Sequence, residues 1–282
     1  LMKAGLIEER EESLEEKVLM RAYPALLSLD SPHWISYLKE NLKAPQRPTT
    51  ILDREYAAML YHTLLSKDLE ALGIISPEAL ILSLSHWHPF IKELEAFLTM
   101  QENALSFLPQ SPGVLYPCAL EVYCHYTRNQ IFAALGYDHP SSIREGVKFL
   151  TPEKSFAVTH PTDVFLVTLN KSDRDFSETT RYEDYSIDRM TFHWQSQSTT
   201  TPHSKTGQRY ERLCREKEKA GYILLFVREN KKDAYGGTQS YTFLGRVSIE
   251  RLQGSQPMTA ILKLALPLSA GLLTETDASG VL

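Results

Sequence analysis

The hydrophobic period of this 282-residue chain changes once, near Gln110-Ser111-Pro112-Gly113, and that change constrains the fold more than any other feature. Before it, apolar residues recur at the spacing that lines one face of a helix. Leu14, Val18, Met20, Leu26 and Leu27 do so within a helical reading of residues 3–45, with Glu8, Glu9, Glu11, Glu12, Glu15 and Glu16 left for water and Pro24 and Pro32 interrupting the pattern. Ser31-Pro32 predicts an N-cap and a first-turn proline opening a helix through Leu42. Further helices are predicted over Thr50–Leu65, from Ser76-Pro77-Glu78 to about Leu84, and over Pro89–Gln101, where Phe90, Leu94, Phe97 and Leu98 share a face. The first part therefore reads as an all-helical bundle of about five helices.

After the break, strands dominate. Thr127–Leu135 predicts one short helix, with Thr127 as cap and Gly136 as stop. Strands are predicted over Asp163–Leu169, Tyr222–Val227, Tyr241–Val247 and Thr259–Leu266, and more weakly over Phe192–Gln195. The run YILLFV at Tyr222–Val227 is apolar enough to be buried on both faces. Glu211–Ala220 is either a charged helical turn or an exposed loop, and Gly236-Gly237 marks a turn. Short strands with long polar connections predict an α+β chain: an N-terminal all-helical bundle over 1–112, then a mixed, mainly β pseudobarrel (PUA-like or B3-like) over 113–273. Residues 274–282 read as a disordered tail, and there is no internal repeat.

Composition excludes several classes. The chain is 43% hydrophobic and 23% charged, ordinary for a globular protein. No window approaches the roughly 18 to 20 apolar residues that span a bilayer, which predicts no membrane partner. The acidic, helical start is unlike a secretory signal. Cys118, Cys124 and Cys214 are few, odd in number and without CxxC spacing, which favours a reducing cytoplasm. Net charge is −5, but it is uneven: residues 1–115 carry −6 and residues 116–282 carry +1. Strong non-specific attraction to phosphates is not supported, whereas a local basic patch on the second part is compatible with these numbers.

The polar stretch Phe176–Tyr210 is the candidate site. It holds no apolar run able to build a core, yet concentrates Arg181, Tyr182, Tyr185, His193, Trp194, Gln195, Gln197, Lys205, Arg209 and Tyr210. Aromatic rings stack on bases, with roughly 1 to 3 kcal/mol per stacked base. Glutamine amides pair with base edges, and basic side chains hold phosphates. Tyr182 and Tyr185 share a face if that segment is helical, and Gly207 would let backbone N–H groups approach a phosphate. Each residue also has a structural reading: Trp194 as core, Arg181 paired with Glu183 or Asp184, and Ser204–Tyr210 as an exposed loop. Lys171, Arg174, Arg228, Lys231 and Lys232 could extend a basic rim.

Catalytic patterns are weak. Asp163 and Glu229-x-Lys231 loosely echo a metal-dependent nuclease, but at long separation. Cys118, Cys124 and His125, like His86 and His88, lack zinc-ligand spacing. Nothing places a base beside a nucleophile. No catalytic residue, metal or cofactor is predicted.

The stretches YTRNQIFAALG (Tyr126–Gly136), VFLVTLNKSDRDFSETTRYEDYSID (Val164–Asp188), FHWQSQSTTTPHSKTGQRY (Phe192–Tyr210), ILLFVRENKKD (Ile223–Asp233) and YTFLG (Tyr241–Gly245) resemble the family called domain of unknown function 3427. That resemblance implies the C-terminal region of a bacterial superfamily-two DEAD/DEAH-type helicase, often with a phospholipase-D-like nuclease domain, in a restriction or phage-defence setting. Residues 1–112 would then be the linker bundle after the helicase core, itself a partner within the same polypeptide. The chain carries no GxxxxGK[ST] motif and no DEAD-like box. The expectation is a non-catalytic DNA-recognition module, reading modified bases or DNA structure. The alternative is a protein-interaction module that docks on the helicase core or an oligomer partner.

Overall fold

The computed structural model describes residues 12–87, 90–105, 108–170, 184–232 and 236–268. The tail expected over 274–282 lies outside the described residues.

Six helices precede the sheet among the described residues: α1 (Leu14–Leu27), α2 (Pro32–Lys43), α3 (Ile51–Leu64), α4 (Lys67–Ala71), α5 (Pro77–Ser83) and α6 (Phe90–Ala104). Their starts follow local chemistry. Ser13 with Glu16, and Thr50 with Asp53, form reciprocal capping boxes that satisfy the first free N–H groups. Ser66 and Ser76 cap α4 and α5 by the same logic. Ser31 occupies the cap position of α2 but makes no cap bond; its hydroxyl donates instead to Glu121 Oε2 at 2.5 Å.

The second part supplies β1 (His125–Tyr126), α7 (Arg128–Ala134), β2 (Val147–Leu150), β3 (Thr162–Thr168), β4 (Tyr185–Ser186), β5 (Thr191–Gln195), α8 (Lys205–Glu216), β6 (Tyr222–Arg228), β7 (Tyr241–Gly254) and β8 (Met258–Leu264). They form one mixed sheet in the order β2-β3-β6-β7-β8-β5-β4, with β1 added to the start of β7. Only β3 and β6 run parallel; the other pairs are antiparallel.

The sheet is rolled. β3 and β5 stand four strand steps apart, about 19 Å in a flat sheet. Yet Phe165 of β3 and Trp194 of β5 stack with ring centroids 4.2 Å apart and planes at 20°. Curling of this kind needs bends, and the long β7 carries two register shifts, one beside Gly245 at φ +84° and one between Ile249 and Arg251. The result is the α+β arrangement of a helical region followed by a pseudobarrel, with its seam between β2 and β4.

Two hydrophobic clusters divide the faces. One fills the concave side and includes Phe165, Trp194, Tyr210, Leu225 and Ile249. The other runs without a break from α1–α6 into α7 and the outer face of β3, β6 and β7, joining Trp34, Met59 and Leu80 to Phe132, Leu166, Phe226 and Phe243. Polar pins cross the same junction: Glu55 accepts from the Ala119 amide, Gln130 Nε2 donates to Thr63, and Asp30 pairs with His125.

Candidate nucleic-acid interface

Strand β5 alternates as a half-buried strand should, with Phe192 and Trp194 inward and Thr191, His193 and Gln195 outward. Trp194 is 3% exposed; its face lies on Phe165 and its edge meets Tyr210 at 5.4 Å and 89°. Tyr210, from α8, is 2% exposed, and burial raises its hydroxyl pKa above the ordinary range. These two rings are core residues. The expectation that they offer free faces for stacking is corrected: a rolled sheet has an interior to fill, and bulky rings fill it.

The predicted loop Ser204–Tyr210 is also corrected. It is the start of α8, whose cap is Ser204, with the Gly207 amide donating to Ser204 Oγ at 3.0 Å. Gly207 is needed for packing: a Cβ there would meet the Thr201 carbonyl oxygen at 1.9 Å. Lys205 is exposed in the first turn. Arg209 is committed elsewhere. Its Nε donates to Asp163 Oδ1 at 3.0 Å, its Nη2 pairs with Asp163 Oδ2, and its guanidinium covers the Phe149 ring. Asp163 is buried at the start of β3; burial pushes its carboxyl pKa up and Arg209 opposes the shift. A buried carboxylate requires such a partner, so Arg209 serves the fold.

Tyr185 lies on β4 in extended backbone, so it is not helical. It stands opposite His193, and the two rings stack at 4.6 Å and 11°. Arg181 and Tyr182 lie outside the described residues, as do Lys171 and Arg174.

A cleft of about 330 Å³ opens at the seam. β2 pairs with β3 only as far as Phe165, so the end of β3 borders this space. Gln195 and Gln197 line it from the end of β5, Asp184 from before β4, and Arg128, Arg144 and Arg228 from α7, the approach to β2 and the end of β6. The Gln195 amide donates to Asp184 Oδ1 at 3.0 Å, which fixes that corner. Arg128 donates to the Ile143 and Arg144 carbonyls, each at 3.3 Å. Arg228 donates from Nε to Thr168 Oγ1 at 3.0 Å and from Nη1 to the Gln239 carbonyl at 3.2 Å, with its guanidinium over the Tyr241 ring. Gln195, Gln197 and Arg228, candidates from the sequence, thus meet at one cleft, and Arg128, Arg144 and Asp184, which no sequence pattern marked for this surface, line it with them. A usable signal was Arg228 itself, a charge closing an otherwise apolar strand.

The nuclease echo does not assemble. Asp163 pairs in register with Ile223, so Glu229, just past the end of β6, lies six residues farther along the chain, about 20 Å away. Among the described residues no group of three or more His, Cys, Asp or Glu side chains is placed to hold a metal ion. No described helix is long and apolar enough to cross a membrane.

A family model described as "Domain of unknown function (DUF3427)" matches residues 120–275. No curated protein matches the chain. Among solved structures, the crystal structure of SUVH9 is similar at 8% identity and a TM-score of 0.36, over 85% of this chain and 42% of that one. So distant a likeness transfers no property, and the chain spans less than half of that structure's length.

Proposed function

Taking as premise that this chain belongs to the DUF3427 family of domains of unknown function, we propose that it is a non-catalytic DNA-recognition module whose reading site is the seam cleft. The observation that carries this is the convergence of Arg128, Arg144, Arg228, Gln195, Gln197 and Asp184 on one cavity of about 330 Å³. These groups match the edges of a nucleobase. Arginine and glutamine engage bases through two parallel hydrogen bonds, and a carboxylate accepts from an exocyclic amine. A cleft of this size takes a single base, as on an unpaired strand or a nucleotide turned out of a duplex. Modified bases or an altered strand geometry are the substrate class of this proposal. The wider setting belongs to it too: a cytoplasmic restriction or defence protein in which a helicase core accompanies this chain, with the division at 112/113 separating linker bundle from reader.

The test is a titration of plain, methylated and hydroxymethylated DNA, single- and double-stranded, followed by fluorescence anisotropy. Preference for one form, weakened by Gln197→Ala and Arg144→Ala, supports the proposal. Equal and negligible binding to every form overturns it.

A further inference from the structure

The seam cleft has a neighbour. A second cavity of about 480 Å³ lies between the C-terminal half of α1 and the approach to β7. Arg228 lines both cavities. Consecutive residues divide between them: Arg128 faces the first and Thr127 the second, as do Thr168 and Leu169, and Tyr241 and Thr242. One wall of strand ends, capped by a single arginine, therefore separates two spaces.

Their chemistry differs. The first carries amides, two carboxylates (Asp184 and Glu145) and guanidinium groups. The second is rich in hydroxyls, from Ser28, Thr127, Thr238 and Ser240, with Arg21 and the Glu229 carboxylate also on its lining. Ser28 Oγ and Ser240 Oγ lie 3.2 Å apart, which ties α1 to the segment that enters β7. Between the spaces, Arg228 is 8% exposed, and Thr168, the Gln239 carbonyl and the Tyr241 ring hold it in one orientation. A guanidinium fixed there places a positive charge on the wall shared by the two spaces, where a phosphodiester linking two nucleotides would lie.

We propose that the two cavities form one site for two consecutive nucleotides. The first base enters the seam cleft, Arg228 holds the linking phosphate, and the sugar and phosphate of the next residue occupy the hydroxyl-lined cavity. This rests on the DNA-recognition reading above and adds that α1 of the helical region forms part of the ligand site.

The experiment measures binding of oligodeoxyadenylates of one, two and six residues to the whole chain, by competition against a labelled strand, with thermal melts to monitor folding. The wild-type chain is expected to gain about tenfold in affinity from one residue to two, which is about 1.4 kcal/mol. In Ala25→Tyr, which fills the second cavity from α1, that ratio falls close to one. Arg21 is largely exposed and pairs with Asp68 at 2.7 Å, so the melts check what Arg21→Gln gives up in stability, and the substitution lowers the ratio about threefold. A wild-type ratio near one, or an undiminished ratio in both variants, overturns the two-nucleotide site while leaving the base-reading cleft standing. If the wild-type chain binds no strand of any length, the DNA reading fails and this inference fails with it.

Discussion

Glu55 on α3 accepts a hydrogen bond from the backbone amide of Ala119 at 2.6 Å, fully buried where the helices meet the sheet. Desolvation dominates there and raises the carboxyl pKa to about 9, against a smaller lowering by that bond. The folded chain thus keeps a proton that the unfolded chain releases above its ordinary value near 4.5. Stability is expected to fall as pH rises from about 5 toward 9, on the order of 1 kcal/mol per pH unit. Glu55→Gln keeps an acceptor for Ala119 and removes the titration. Urea unfolding at pH 5.5 and pH 8 should show a clearly smaller loss in the variant. Equal losses in variant and wild type would contradict a protonated Glu55.

The Asp163–Arg209 pair gives a second expectation. Removing Arg209 leaves a buried carboxylate uncompensated, so Arg209→Ala should cost about 3 to 5 kcal/mol in stability. Chemical denaturation measures this directly. A stable Arg209→Ala chain with weakened DNA binding would return Arg209 to the ligand surface.

Trp194 and Gln197 should separate cleanly. Trp194→Ala empties the space between Phe165 and Tyr210 and is expected to cost about 3 to 5 kcal/mol. Gln197 is exposed on the cleft, so Gln197→Ala should change stability by no more than about 0.5 kcal/mol. Its effect is expected in the anisotropy titration instead. Large stability losses in both variants would mean that the cleft corner is structural.

Gly207→Ala is expected to destabilise by about 1 to 3 kcal/mol, because the added methyl meets a backbone carbonyl rather than a flexible side chain. A thermal melt decides it: an unchanged midpoint would show that the Thr201 segment yields freely.

Local order was written in the sequence. Capping residues and apolar spacing located α2, α3, α5 and α7, and the continuous run YILLFV located β6, because such signals join neighbours within a few positions. The start of α8 escaped, and its end was legible only as one of two alternatives over Glu211–Ala220, since the helix opens in a stretch dense in Ser, Thr and Gly and its buried face is only Gly207, Tyr210 and Leu213. The same limit governed the site. Composition marked the region around Trp194 as unusual, but could not tell ring-as-core from ring-as-surface. That choice depended on which distant partners the roll of the sheet delivered: Phe165 beneath Trp194, and Asp163 to Arg209 across 46 positions. It likewise brought Arg128, Arg144 and Arg228 to one seam. Residue types fixed what each group is able to bond; only tertiary packing decided which of those bonds the fold itself consumed and which were left facing the cleft.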